Sequence, residues 1–206
     1  MSAEKFWDKK AQGYAASPIS DMDAYNKTMT QTRAHLSEGD RVLEVGCGSG
    51  STALLLADCV GHITGSDISG NMVQIAKDKA GVQQVGNADF VQATLDDGQL
   101  GAETYDAVLA FNLLHLLEDL PTAIGQINKR LKPGGYFISK TVMLSEGSAL
   151  WRLAIPIMRM IGVAPPVKSL SQGELDAAIL SSGFEIVDTH GYAGSFKTRF
   201  IVAKKI

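Results

Sequence analysis

Five consecutive residues, Gly46-Cys47-Gly48-Ser49-Gly50, place three glycines at alternate positions. They follow Arg41–Val45, a short apolar run of strand type, and precede Ser51–Val60, an apolar run of helical type. Glycines at such a turn let the chain reverse tightly and let a ligand approach backbone that no Cβ shields. The helix that opens next offers its unpaired N–H groups to whatever binds. Two acids frame the turn. Glu44 lies inside the strand, two residues before Gly46, and Asp67 ends the next strand, 19 residues after Gly48. A carboxylate there can accept both hydroxyls of a ribose, because the switch point of an open α/β sheet seats a nucleoside beside that strand end.

Two ligand classes fit this constellation. Gly48-Ser49-Gly50-Ser51-Thr52-Ala53 matches G-x-G-x-x-A, so an NAD(P)-dependent oxidoreductase is the alternative. A ligand with an ammonium group accounts for Glu44, for which a dinucleotide has no need. Too little chain follows Val142 for the substrate domain of a dehydrogenase. His115, after the apolar run Tyr105–Leu114, is the candidate general base, because its ordinary titration lies near neutrality. Packing is the plainer role for a histidine among leucines. His35, His62 and His190 read as surface or packing residues. The two cysteines, Cys47 and Cys59, make neither a CxxC pair nor a metal-ligand spacing. No metal site is expected, and a reducing, cytoplasmic compartment is.

The elements that must hold these residues alternate. Two helical patterns, 2–16 and 21–37, come first. Strands then fall at Arg41–Val45, His62–Ser66 ending on Asp67, Ala88–Ala93, Tyr105–Phe111 and Tyr136–Val142. Between them lie helices over Ser51–Val60, from the N-cap Ser69 to Ala80, and over Leu120–Leu131. Nearly all-apolar strands mean a parallel sheet covered on both faces. The tail differs: a helix over Ser171–Ser182, then strands Phe184–Thr189 and Phe196–Ala203, joined by too few residues for a crossover helix. That last pair must be antiparallel.

With these residues in place, the chain resembles the class I, Rossmann-like S-adenosylmethionine-dependent methyltransferases of small-molecule type. Arg41–Gly50 is similar to their first motif, and Asp67 to their acid after the second strand. Tyr105–His115, Leu131-Lys132-Pro133-Gly134-Gly135-Tyr136, Leu180–Val187 and Phe196–Lys204 resemble their later elements. Phe6–Tyr14 resembles a segment that lids the cofactor. The resemblance implies an α/β fold with a seven-stranded, mostly parallel sheet of order 3-2-1-4-5-7-6, strand 7 antiparallel, and helices on both faces. It implies S-adenosylmethionine as cofactor, held by Tyr14, Glu44, Gly46, Cys47, Gly48, Gly50, Asp67, Ile68, Met72, Thr94, Leu95 and Asn112. One departure stands out. Where the family often has an Asp just after the third strand, this chain has Gln92-Ala93-Thr94-Leu95, and Asp96 or Asp97 would serve only if the loop slipped.

The 206 residues suit one methyltransferase domain, with 1–37 as an N-terminal helical lid and 144–170 as a helical insertion over the acceptor site. A net charge of −3 and no basic patch argue against a nucleic-acid partner. No apolar run spans a bilayer, so no integral membrane segment is expected. Within the insertion, apolar residues from Ala149 to Ile161 are too many for one helix face. The second face is left to an acceptor, a homodimer contact or a membrane surface. Tyr25, Trp151 and Met158 are the candidate walls of a pocket for a small apolar or aromatic acceptor. A catalytically silent cofactor-binding module also remains open.

Overall fold

The computed structural model describes residues 2–146, 167, 169–192 and 197–206. Trp151 and Met158, and the core of the insertion around them, lie outside the described residues.

Each element begins where local chemistry starts it. Helix α1 (Ala3–Ala16) is capped by Ser2, whose hydroxyl accepts the Lys5 N–H. Helix α2 (Met22–Arg33) is capped by Asp21. It stops short of the expected Ser37 because Ser37 and Asp40 bond to each other: the Ser37 N–H meets the Asp40 carboxylate and the Asp40 N–H meets the Ser37 carbonyl. Strand β1 (Arg41–Val45) leads into α3 (Ser51–Leu56), which tightens into a 3₁₀ turn over Ala57–Cys59, where the sequence suggested continuous helix to Val60. Strand β2 (His62–Asp67) feeds α4 (Gly70–Gln83), capped by Ser69 as expected. Strands β3 (Ala88–Gln92) and β4 (Tyr105–Phe111) are joined by a loop with no helix. Helix α5 (Leu120–Arg130) is capped by Asp119, and at its other end Lys205 Nζ donates to the carbonyls of Asn128 and Leu131 at 2.7 and 2.8 Å. Strand β5 (Leu131–Val142) starts five residues before the expected Tyr136, because Leu131 already pairs with Tyr105 across a register shift. A capping box between Ser171 and Glu174 starts α6 (Gln172–Ser181), and β6 (Phe184–Tyr192) and β7 (Thr198–Lys205) end the chain.

The seven strands form one sheet in the order β3-β2-β1-β4-β5-β7-β6. The pairs from β3 through β5 are parallel, and β7 lies antiparallel between β5 and β6, as the tail pattern required. Alternate side chains feed two cores. Val42, Leu109, Ile138 and Val202 pack with α2, α3 and α4 on one face. Leu43, Val108, Phe137 and Ile201 pack with α5 and α6 on the other. The strand order reverses direction at β1, between β2 and β4, so the carboxyl ends of these strands border a crevice where a ligand can seat.

Candidate functional site

A cleft of about 370 Å³ lies at that crevice. The glycine turn after β1, the end of β2, the loop after β3, the segment after β4 and the inner side of α1 all line it. Of the expected cofactor residues, Tyr14, Gly46, Gly48, Asp67, Ile68, Met72, Thr94, Leu95 and Asn112 meet there.

The glycines of the turn divide by job. Gly48 has φ +53°, and a Cβ added to it would meet nothing closer than Tyr14 Cε1 at 3.8 Å. Its backbone is therefore open to the cleft, and its N–H donates to Asp67 Oδ2 at 2.9 Å. Gly50 has φ +75°, and a Cβ there would lie 2.6 Å from Ala76 Cβ and 2.8 Å from Phe90 Cε1. Gly50 thus serves close packing of the turn onto α4 and β3 and does not line the cleft. Cys47 points the same way. It is buried in the core of that face, and burial pushes its thiol well above its ordinary value.

Asp67 is 9% exposed. Burial raises its carboxyl, opposed by the N–H groups of Ser69 and Gly48, which sit at 2.9 Å from Oδ1 and Oδ2. A carboxylate has about four acceptor positions, so two remain for hydroxyl donors. Glu44 does not line the cleft. It lies beneath the turn at 3% exposure, with Oε2 buried and unpartnered. Burial pushes its carboxyl up to about 8. A cradle of open glycine backbone, a strand-end carboxylate with free acceptor capacity and an orphaned buried carboxyl oxygen together fit a cationic nucleoside cofactor.

After β3, Thr94 donates its hydroxyl to Asp96 Oδ1 at 2.8 Å and its N–H to Asp97. Asp96 itself lines the cleft, so an acid reaches this wall without any slip of the loop. Arg130 holds the loop in place by donating to the carbonyls of Leu95 and Gly101 at 3.2 and 3.1 Å. After β4, Asn112 takes φ +55° and its N–H donates to the Lys140 carbonyl at 2.8 Å. A non-glycine residue held in that region carries strain of the kind that collects at functional sites.

The remaining expected residues lie elsewhere. His115 sits in the 3₁₀ turn Leu114–Leu116, 9% exposed, and does not itself line the cleft, although Leu113 and Leu116 on either side of it do. Its Nδ1 is buried without a partner, and burial lowers its pKa to about 4. Tyr25 packs on the β1–α3 side, its hydroxyl 3.4 Å from Thr52 Oγ1, and does not line the cleft. The sequence reading passed over Trp7, Phe111, Leu113, Leu117 and Thr122, all of which line it. Trp7 was detectable, because it lies seven residues before Tyr14 and so shares its helix face. Leu113 and Leu117 carry no signal beyond apolarity.

Residues 43–139 match the family described as a methyltransferase domain. The chain is 29% identical over 161 residues to a probable phthiotriol/phenolphthiotriol dimycocerosates methyltransferase 2 of Mycobacterium ulcerans, covering 77% of this chain and 57% of that protein. It is 28% identical over 180 residues to the ubiquinone biosynthesis O-methyltransferase of Erwinia tasmaniensis, covering 84% of this chain and 72% of that one. In structure it is similar to magnesium protoporphyrin IX methyltransferase from Synechocystis, solved with bound SAH, at a TM-score of 0.75 and 21% identity over 98% of this chain and 97% of that chain.

Proposed function

We propose that this chain is a class I, Rossmann-like S-adenosylmethionine-dependent methyltransferase that methylates a small apolar or aromatic acceptor, a reading supported by the matched methyltransferase domain and by the similar methyltransferases. The observation that carries the proposal is the mixed lining of the cleft. It combines the Gly48 backbone and Asp67 with the apolar side chains of Val45, Phe111, Leu113, Leu116 and Leu117. The antiparallel β7 between β5 and β6 sets the fold apart from the dinucleotide order 3-2-1-4-5-6.

When bound, the cofactor supplies a methyl group already activated on a sulfonium. The chain's own residues then hold, orient and exclude water. Asp67 accepts hydroxyl donors at its two remaining positions. Glu44 stands below the turn as a buried carboxyl whose ionisation a nearby cation favours. Met72 and Ile68 give the nucleoside end an apolar seat, and Trp7 and Tyr14 cover it from α1. Rate comes mainly from alignment in a dry cleft. In this reading His115 packs the 3₁₀ turn and takes no proton, which its burial and its absence from the cleft lining support.

Among the described residues no helix is long and apolar enough to cross a membrane. The same reading takes a small molecule, not nucleic acid, as partner and a cytoplasmic setting, supported by the net charge of −3 and the absence of cysteine pairs. The test is thermal: S-adenosylhomocysteine should raise the melting temperature and NAD should not. A panel of phenols and quinols with radiolabelled cofactor then reads transfer. A shift with NAD alone defeats the proposal. Binding of S-adenosylhomocysteine without transfer to any acceptor points to a silent binding module.

A further inference from the structure

We propose that Asp8 is a positioning residue of the cofactor site: it fastens α1 onto the first turn of α4, directly beside Asp67. The inference rests on the cofactor assignment made above.

Helix α1 is held weakly by apolar burial. Of its 14 residues only Phe6 and Ala11 are buried, and neither core cluster includes a residue of α1. Its polar attachment concentrates at one place. Ser69 Oγ donates to Asp8 Oδ1 at 2.6 Å, the Asn71 N–H donates to the same oxygen at 3.2 Å, and Asn71 Nδ2 donates to the Asp8 carbonyl at 3.2 Å. A weaker contact runs from Gln92 Nε2 to Glu4 Oε1 at 3.3 Å. Ser69 is also the residue whose N–H holds Asp67 Oδ1 at 2.9 Å and whose hydroxyl accepts the Met72 N–H at 3.1 Å. One serine therefore joins the helix cap, the strand-end carboxylate and the covering helix.

What α1 carries gives the joint its purpose. Ala3, Trp7 and Tyr14 face the cleft, with the Trp7 and Tyr14 rings edge to face at 6.0 Å. Asp8 follows Trp7 directly, so it anchors the side of the helix adjacent to the covering face. Charge-assisted hydrogen bonds to a carboxylate are the stronger kind, and here they supply what the small buried apolar area does not. Seating α1 closes the cleft over the end that Asp67 and Ile68 form. Releasing it opens that end.

The test compares wild type, Asp8→Ala and Asp8→Asn. Asparagine keeps a side-chain carbonyl oxygen that can accept from the Ser69 hydroxyl and the Asn71 N–H; alanine keeps only the backbone carbonyl that accepts from Asn71 Nδ2. Calorimetric titration with S-adenosylhomocysteine should show about tenfold or greater weakening for Asp8→Ala, the size expected from losing charged hydrogen bonds. Asp8→Asn should stay within about threefold of wild type. Trypsin cleavage after Lys9 and Lys10, which requires local opening of α1, should quicken in Asp8→Ala. S-adenosylhomocysteine should suppress cleavage in wild type and Asp8→Asn but not in Asp8→Ala. The melting temperature of the ligand-free core should hardly move. Equal binding by wild type and Asp8→Ala, or faster cleavage with unchanged affinity, overturns the inference alone. No binding by wild type overturns the cofactor assignment and this inference with it.

Discussion

Asp67 Oδ2 accepts the backbone N–H of Gly48 at 2.9 Å, which ties the end of β2 to the turn that follows β1. The residue marked by its spacing as a ribose acceptor is thus also a brace for the glycine turn. Its other oxygen braces the start of α4 through the Ser69 N–H. The carboxylate proposed to recognise the ligand also holds the local architecture together.

Replacing Asp67 by Ala should therefore act twice. Cofactor affinity should fall by about 1.5–3 kcal/mol, the range for hydrogen bonds to a charged group. Stability without ligand should also fall, by about 1–3 kcal/mol, because two N–H groups lose their acceptor. Asp67→Asn, which keeps one carbonyl acceptor, should recover part of both. Calorimetry and urea unfolding read the two losses separately. An Asp67→Ala protein with wild-type affinity would remove the residue from the ligand site.

The fold was legible because its signals are periodic or punctuated. Apolar strands, glycine stops and the short final connection marked a parallel sheet with an antiparallel last pair, and the resemblance to the methyltransferases supplied the strand order that the structure shows. The polar half of the site was legible for a similar reason: glycine and acid at set spacing have few other uses. The apolar half was not. Leu113 and Leu117 line the cleft while Leu114 is buried in the core, and only the 3₁₀ turn after β4 decides which faces where. Gly50 and Cys47 were drawn into the site by adjacency, yet packing against Phe90, Ala76 and the core claims them. Asp96 was discounted by counting along the loop, and hydrogen bonds from Thr94 and Arg130 set a shape that counting could not supply.

The two glycines should separate by experiment. Gly50→Ala pushes a methyl into Ala76 and Phe90 from a left-handed backbone position. A loss of about 1–3 kcal/mol from overpacking, plus about 1–2 kcal/mol from backbone strain, is expected. Gly48→Ala meets open space and should lose only the backbone share, about 1–2 kcal/mol. Its affinity for S-adenosylhomocysteine should fall further than its stability. Urea midpoints together with titrations read the contrast, and a Gly48→Ala protein that binds as wild type does would remove Gly48 from the ligand surface.

Glu44 gives a pH signature. Burial holds its carboxyl at about 8 in the folded protein, against 4.5 for an ordinary glutamate. Between those values the unfolded chain has released the proton and the folded chain keeps it. Its contribution to stability therefore declines as pH rises from about 4.5 to about 8 and is level above that. Glu44→Gln cannot ionise and should lack the decline. The difference in unfolding free energy between wild type and Glu44→Gln, followed from pH 5 to 9, cancels the other groups. A flat difference would show that Glu44 is already ionised when folded.

His115 presents the opposite sign, and with it a decision about mechanism. Burial lowers its pKa to about 4, against 6.5 for an exposed imidazole. From pH 6.5 down to about 4 the unfolded chain takes up a proton that the folded chain refuses, so His115 costs stability as the solution is acidified through that window. His115→Asn should remove this acid limb. The same number bears on catalysis. A general base works best with a pKa near the operating pH, and an imidazole near 4 is a poor match. The pH profile of kcat/KM should then keep its shape between pH 6 and 8 in His115→Asn. Any fall in turnover should stay under about tenfold, well short of the about 10²–10⁴-fold loss that removal of a working base produces. A loss in that larger range, with cofactor affinity intact and the acid limb of the profile altered, would restore His115 as the group that takes the acceptor's proton. It would also require the 3₁₀ turn Leu114–Leu116 to present the ring to the cleft once acceptor is bound.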